Sequence, residues 1–303
     1  MKMFRNIVIY FTVTLITGIC GQCTFPSPFA SSMWHDSTRG DLTFTDTTLT
    51  GWDVTLSPTQ TIDTWTCLDY ADSSKLVIKA TSRFTLVGSS QVYVYACLVL
   101  TEVTAGVSYT YQQRNVQEGN AAQNRLRFNS AGTLASASDV CDDTATIPTL
   151  DFHVLVLSGS ESSAAVILPT SFLFSADYIL QASDGTLTCN DTVDVMDMCS
   201  DTSALTFDYT TGNCQEQVAY SAGGSLYCVA TVSLTSYDCA VFYNRDPTIS
   251  GTATRFTCIC SDGNTASVAP NNCTIYQDAT SVPTDADMTT PVGYLINFGA
   301  KTR

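Results

Sequence analysis

Short apolar and β-branched runs recur between polar turn residues along this chain, and a sustained 3.6-residue period is absent. That is the signature of strands rather than helices. The longest apolar stretch is Gln91–Thr101, QVYVYACLVLT. Val92, Val94, Ala96 and Leu98 fall on one face of an extended chain, and Tyr93, Tyr95, Cys97 and Val99 on the other. Both faces are apolar, which predicts a central strand with packing on both sides, anchored by Cys97. Trp65-Thr66-Cys67 likewise sets a large aromatic and a cysteine on one face.

Further strands are predicted at Leu42–Thr45, Ile62–Leu68, Lys75–Ala80, Val107–Gln112, Phe152–Leu157, Ala164–Leu168 and Ser171–Phe174. Others follow at Ala204–Tyr209, Ser225–Ser233, Cys239–Tyr243 and Thr254–Cys260. Many short β-branched runs between turn residues indicate an all-β chain of two or more disulfide-braced, β-sandwich-like modules. The polar segment Asn115–Asn124 reads as an exposed loop, and Ala131–Ala137 as a linker. Cys67, Cys97 and Cys141 map onto Cys199, Cys228 and Cys273 at offsets of 132, 131 and 132, which suggests a degenerate internal repeat. The expected division is 1–20 signal peptide, 21–141 N-terminal β module, 142–275 cysteine-rich β module or modules, and 276–303 a disordered Ser/Thr/Pro-rich tail.

The first residues change where this protein is placed. Lys2 and Arg5 precede an apolar run from Ile7 to about Ile19, with small residues at Gly18 and Gly21, the pattern of a secretory signal peptide. The run is too short for a membrane span, which needs about 20 apolar residues. Cleavage after Cys20 leaves 12 of the 13 cysteines, an even number. In a secreted chain these are expected as disulfides: Cys23, Cys67, Cys97, Cys141, Cys189, Cys199, Cys214, Cys228, Cys239, Cys258, Cys260 and Cys273. Cys258 and Cys260 point to one face of a strand and are expected to take separate partners. The protein is therefore expected to be secreted and extracellular, with no stable membrane span.

The chain of 303 residues carries 13 Lys and Arg against 28 Asp and Glu, a net charge of −15. This acidic balance argues against nucleic acid as a partner, because phosphate binding needs basic patches. Of the acids, 24 are Asp and 4 are Glu, a skew that suits turns between strands.

A group of motifs in order resembles a known class of proteins. They are Cys23–Pro26 (CTFP), Trp34, Gly40–Leu49 (GDLTFTDTTL), Trp65–Cys67 and Tyr95–Cys97 leading to Ser108–Tyr111. Leu205–Tyr209 with Cys214, Tyr220–Cys228 and Arg255–Cys258 follow. Over residues 22–273 the chain resembles invertebrate secreted and cell-surface proteins built from tandem cysteine-rich extracellular domains of unknown function. The resemblance implies an extracellular ectodomain with structural disulfides and no established catalytic residues.

Candidate chemistry is sparse. The two histidines are His35, in Trp34-His35-Asp36-Ser37, and His153. No G-x-S-x-G elbow accompanies them, and adjacent His, Asp and Ser cannot converge as a triad. No catalytic residue, metal site or cofactor is expected; Asp191, Asp194, Asp197 and the pair Asp142–Asp143 lack the spacing of a calcium loop. Arg39-Gly40-Asp41 is a tripeptide read by some integrins, at a position suited to an exposed turn. Asn190 and Asn272 open N-glycosylation sequons. The function expected is that of a secreted binding or adhesion protein whose partner is an extracellular protein or a glycan. A structural matrix or mucus component is the alternative, and an extracellular hydrolase the second alternative.

Overall fold

In the computed structural model, residues 23–71, 74–85, 90–118, 124–130, 135–188, 195–207, 219, 221, 223–246, 254–285 and 287–302 are described. Residues 1–20, expected as a signal peptide, and Asn190, Asp191, Asp194, Cys189 and Cys214 lie outside these residues.

The first eight barrel strands are β1 Met33–Asp36, β2 Gly40–Phe44, β3 Thr48–Ser57, β4 Gln60–Ala71, β5 Lys75–Ala80, β6 Gln91–Thr104, β7 Ser108–Gln113 and β8 His153–Leu157. Each pairs antiparallel with the next in sequence, and β8 returns to β1, with Trp34 opposite Leu157. The result is a closed up-and-down barrel. The second barrel repeats the scheme with β9 Ser175–Gln181, β10 Val195–Asp197, β11 Ala204–Phe207, β12 Ser225–Ser233, β13 Asp238–Asn244, β14 Phe256–Ser261, β15 Thr265–Pro270 and β16 Tyr294–Thr302. Here β16 pairs with β9 to close the ring. Closure removes the free sheet edges that an open sheet would have to protect.

The all-β, disulfide-braced modules expected from the sequence are thus present, and each sheet closes on itself instead of stacking on a second sheet. Several boundaries differ. Barrel one runs past 141, because its last strand is His153–Leu157. The segment Ala164–Leu168 lies outside the strands, and a short 3-10 turn occupies Thr170–Phe172. The segment 276–303, expected as a disordered tail, holds buried Gln277 and Ala279 and then the strand that closes barrel two. Its Ser, Thr and Asp residues make local turn bonds: Asp278 accepts from the Thr280 and Ser281 N–H groups at 2.6 and 2.8 Å. Asn115, expected in an exposed loop, is buried and donates to the Val140 carbonyl at 2.6 Å.

Both barrel interiors are filled. Trp34, Trp52 and Trp65 are fully buried inside barrel one with Val92, Val94, Ala96 and Leu98 of β6. Each indole N–H is satisfied: Trp34 by Ser32 Oγ at 2.7 Å, Trp52 by Tyr111 Oη at 3.1 Å and Trp65 by the Trp52 carbonyl at 2.8 Å. The opposite face of β6 packs Tyr95 and Cys97 under a one-turn helix, Ala137–Val140, with Tyr93 and Val99 at the margin. That is the two-faced central strand read from the alternation. Gly51 lets β3 approach β2, since at its φ of +88° a Cβ would strike the Asp41 carbonyl. In barrel two, Phe172, Phe174, Tyr178, Phe242 and Ile259 fill the interior.

The barrels meet along a third cluster. Val154 and Val156 on the outer face of β8, with Leu150 and Phe152, pack on Val241, Cys258, Cys260 and Ala269 of barrel two.

Four disulfides are formed among the described residues: Cys23–Cys67, Cys97–Cys141, Cys239–Cys260 and Cys258–Cys273. Cys258 and Cys260 take separate partners. The expectation of complete pairing does not hold for Cys199 and Cys228, which are free thiols. Cys228 points into the packed interior of barrel two, where burial pushes its thiol well up in pKa. The cysteine repeat therefore does not extend to the bonding: Cys97 pairs with Cys141, but Cys273 pairs with Cys258 and not with Cys228. What recurs is the eight-strand meander.

Candidate functional site: the groove at the barrel junction

The β1–β2 turn is built around Asp36. Its side chain points inward from a four-residue strand and is buried. Oδ1 accepts from the Thr38 and Arg39 N–H groups at 2.7 and 2.8 Å, and Oδ2 accepts from Tyr111 Oη at 2.7 Å. Burial raises the Asp36 pKa, opposed by these hydrogen bonds and by the Arg39 charge. Burial also pushes the Tyr111 hydroxyl well up, helped by Asp36.

The same turn aims Arg39 inward. Its guanidinium lies 4.9 Å from the centre of the Trp52 ring and donates to the Asp53 carbonyl at 2.9 Å and to Asn124 Oδ1. Its Nε is buried with no hydrogen-bond partner. Asp41 is held by His35 Nδ1 at 2.6 Å. In the Arg39-Gly40-Asp41 tripeptide, Gly40 and Asp41 are exposed, as expected of a turn, while Arg39 is half-buried at the barrel mouth and Asp41 contacts His35.

Around Arg39 lies a cleft of about 350 Å³, with Gln113, Arg125, Asp151, His153 and Asn272 on its walls. Arg125 is paired with Asp151 at 3.0 Å. His153 stacks on Tyr111 with ring centres 4.7 Å apart, and its Nδ1 is 2.7 Å from Thr38 Oγ1. Burial, and then the charge of Arg39, lower the His153 pKa to about 3, so the ring is neutral. Asn272 sits where the barrels touch: its Nδ2 donates to the Phe152 carbonyl, and its Oδ1 accepts from Ser37 Oγ at 3.5 Å. The nitrogen that a glycan would occupy is committed to this contact.

Two more depressions continue from the first. Thr38 is shared with the second, of about 340 Å³, which adds His35, Asp41, Arg255 and Asn271. His35 and Arg255 are shared with the third, of about 470 Å³, which adds Glu161, Tyr227, Tyr243 and Arg245. Together they form one groove along the junction. His35 Nε2 is 3.1 Å from Glu161 Oε1, so the imidazole lies between two carboxylates. Burial works against ionisation of Glu161, but hydrogen bonds from the Gly159 and Glu161 N–H groups and from His35 outweigh it and hold its pKa below the usual value. Tyr227 and Tyr243 face each other across β12 and β13. Arg245 lies 4.3 Å over Tyr227, and Arg255 lies 5.7 Å from the Tyr243 ring centre.

Neither histidine sits in a nucleophile–base–acid arrangement. A triad needs one ring nitrogen on a carboxylate and the other on a hydroxyl. His35 has carboxylates at both nitrogens; His153 has a hydroxyl at Nδ1 and the Gln113 amide nitrogen 3.5 Å from Nε2. Among the described residues, the group of three side chains with metal-ligand spacing is Cys258, Cys260 and Cys273, and all three sulfurs are consumed in disulfides. No described helix is long and apolar enough to cross a membrane.

The groove was not legible as a whole from the sequence. Tyr243-Asn-Arg245 does place an aromatic and a guanidinium on one face of an extended chain, a local signal of the wall they form. Comparison with known protein families, with curated proteins and with solved structures finds no match. The class of this protein is thus defined by its own architecture: two disulfide-braced, closed eight-stranded barrels in tandem, joined along a polar groove.

Proposed function

We propose that this is a secreted extracellular binding protein whose recognition surface is the groove between its barrels. The disulfides support an oxidising, extracellular setting. One observation carries the reading. Both barrel interiors are packed with side chains, so neither barrel holds a ligand in its lumen, and the chemically varied side chains gather in the groove instead. The groove holds four of the chain's 13 basic residues and both histidines, in a molecule of net charge −15. A partner that meets guanidinium, amide and aromatic groups together finds them at this place. A wall made of stacked Tyr and Arg is also the composition enriched where binding energy concentrates.

The test is capture from extracellular fluid by the immobilised mature protein and by a Tyr227→Ala, Arg255→Ala variant. The reading expects partners held by the native protein and released by the variant, with both proteins showing the same far-ultraviolet circular dichroism. Capture of the same partners in the same amounts by both would place recognition elsewhere.

A further inference from the structure

We infer that the groove binds an extended oligosaccharide bearing carboxylates. This rests on the groove being the recognition surface and adds the chemistry of what lies in it.

The first observation concerns charge. Among the described residues, Arg39, Arg245 and Arg255 have no carboxylate within 4.0 Å, although acids outnumber bases 28 to 13. Arg125, in the same depression as Arg39, is paired with Asp151. Asp36, Asp41, Asp151 and Glu161 line the same three depressions, so Arg39, Arg245 and Arg255 stand among carboxylates without being paired to one. A guanidinium presents a planar fork of N–H donors that matches a carboxylate two bonds at a time.

The second observation concerns shape and lining. Three depressions share Thr38, then His35 and Arg255, so the space is a trough and not a single enclosed cavity. A trough suits a linear chain. The Gln113, Gln117 and Asn271 side chains line it, and amides pair with hydroxyls as donor and acceptor at once. Tyr227 stands at one end with the Arg245 guanidinium 4.3 Å from its ring centre, and Tyr243 is buried beside it. A peptide ligand is disfavoured by the same facts. The ring strands of both barrels are paired on both sides, so main-chain pairing is open only at short added strands such as Gln117–Glu118 and Asn124–Arg125, and among the described residues the trough has no deep apolar socket for an anchoring side chain. A long polyanion is disfavoured by the net charge of −15 and by the carboxylates that line the trough itself. Few, spaced carboxylates on an otherwise neutral chain fit both the separate guanidiniums and the acids around them.

The experiment is isothermal titration of the mature protein with three probes: a hyaluronan hexasaccharide, which carries carboxylates; chitohexaose, which is neutral; and a sulfated dextran oligosaccharide, which carries sulfates only. The expected result is binding of the hyaluronan fragment, weakened at least about tenfold in Arg245→Gln and again in Arg255→Gln, and weakened by salt because the guanidiniums are partly exposed. Arg245 is exposed, so its variant tests the site without disturbing the core. Arg83→Gln, on the outer face of barrel one beside Tyr93, is expected to leave binding unchanged. Equal binding of chitohexaose, or preference for the sulfated probe, overturns the assignment to carboxylates. Absence of binding to all three sugars, together with groove-dependent capture of a protein partner, overturns the sugar assignment while leaving the groove as the recognition surface.

Discussion

The residue that most shapes the mouth of barrel one is Asp36, and its role could not be read from its neighbours. Trp34-His35-Asp36-Ser37 invites a catalytic reading because three reactive residue types adjoin. In an extended strand they alternate, so Trp34 and Asp36 turn inward while His35 turns out towards Asp41 and Glu161. His153 alternates with Val154 in the same way and enters the barrel mouth. Its burial has a measurable consequence. A histidine whose folded pKa is about 3, against about 6.5 unfolded, is neutral in the native state while the unfolded chain takes up a proton. Its contribution is fully present above pH 6.5 and is lost as pH falls towards 3. Asp36 works in the opposite sense: a raised carboxyl pKa destabilises the fold as pH rises through it. The lowered carboxylates, such as Asp197 at about 2, act only below about pH 4. Between pH 6.5 and 4.5 the comparison with a His153 variant cancels the contribution of Asp36, which both proteins share. Unfolding by urea across that window should show the native protein losing about 2 kcal/mol more stability than His153→Gln. Equal slopes would mean that His153 is not buried neutral.

At the scale of elements, legibility tracked how apolar a strand is. The strand Gln91–Thr104 announced itself because both faces are covered, one by the barrel core and one by the Ala137–Val140 helix and the Cys97–Cys141 bond. Tyr95→Ala should cost about 3–5 kcal/mol, by analogy with other aromatic truncations in cores. A shift within about 0.5 kcal/mol would place that face on the surface. Met33–Asp36, Val195–Asp197 and Tyr294–Thr302 gave no such signal. The first two are too short to show a period, and the last ends in exposed residues that follow a Ser/Thr/Pro-rich run. Yet the first and last of them close the two barrels. Gly293 enters the last strand where a Cβ would run into the Val268 carbonyl of β15. Gly293→Ala should therefore push β16 from β15 and lower stability by at least about 1–3 kcal/mol, read from the urea midpoint. An unchanged midpoint would mean that this seam is not closed as described.

For the whole molecule, an even cysteine count suggested a fully bonded chain, but counting cannot see which sulfur faces a filled lumen. Cys228 does, and Cys199 stands partly exposed. Alkylation without reductant should therefore label Cys199 in the native protein and Cys228 only after unfolding. A Cys199–Cys228 bond found by peptide mapping would contradict the packing of barrel two. The duplication is likewise a matter of architecture: two meanders close alike, while their disulfides differ. Their union rests on Val154 and Val156 against the Cys258 and Cys260 face, with Asn272 reaching from barrel two to the Phe152 carbonyl. This junction fixes the groove.

Hydrogen exchange of the mature protein, with and without a captured extracellular partner, addresses the groove most directly. Bound partner should slow exchange at Ser37–Asp41, at Arg255–Phe256 and at Asn271–Ile275, the stretches that converge on the groove from both barrels. Protection confined to the Ala137–Val140 helix, or to the outer end of β16, would contradict the account and put recognition on a single barrel.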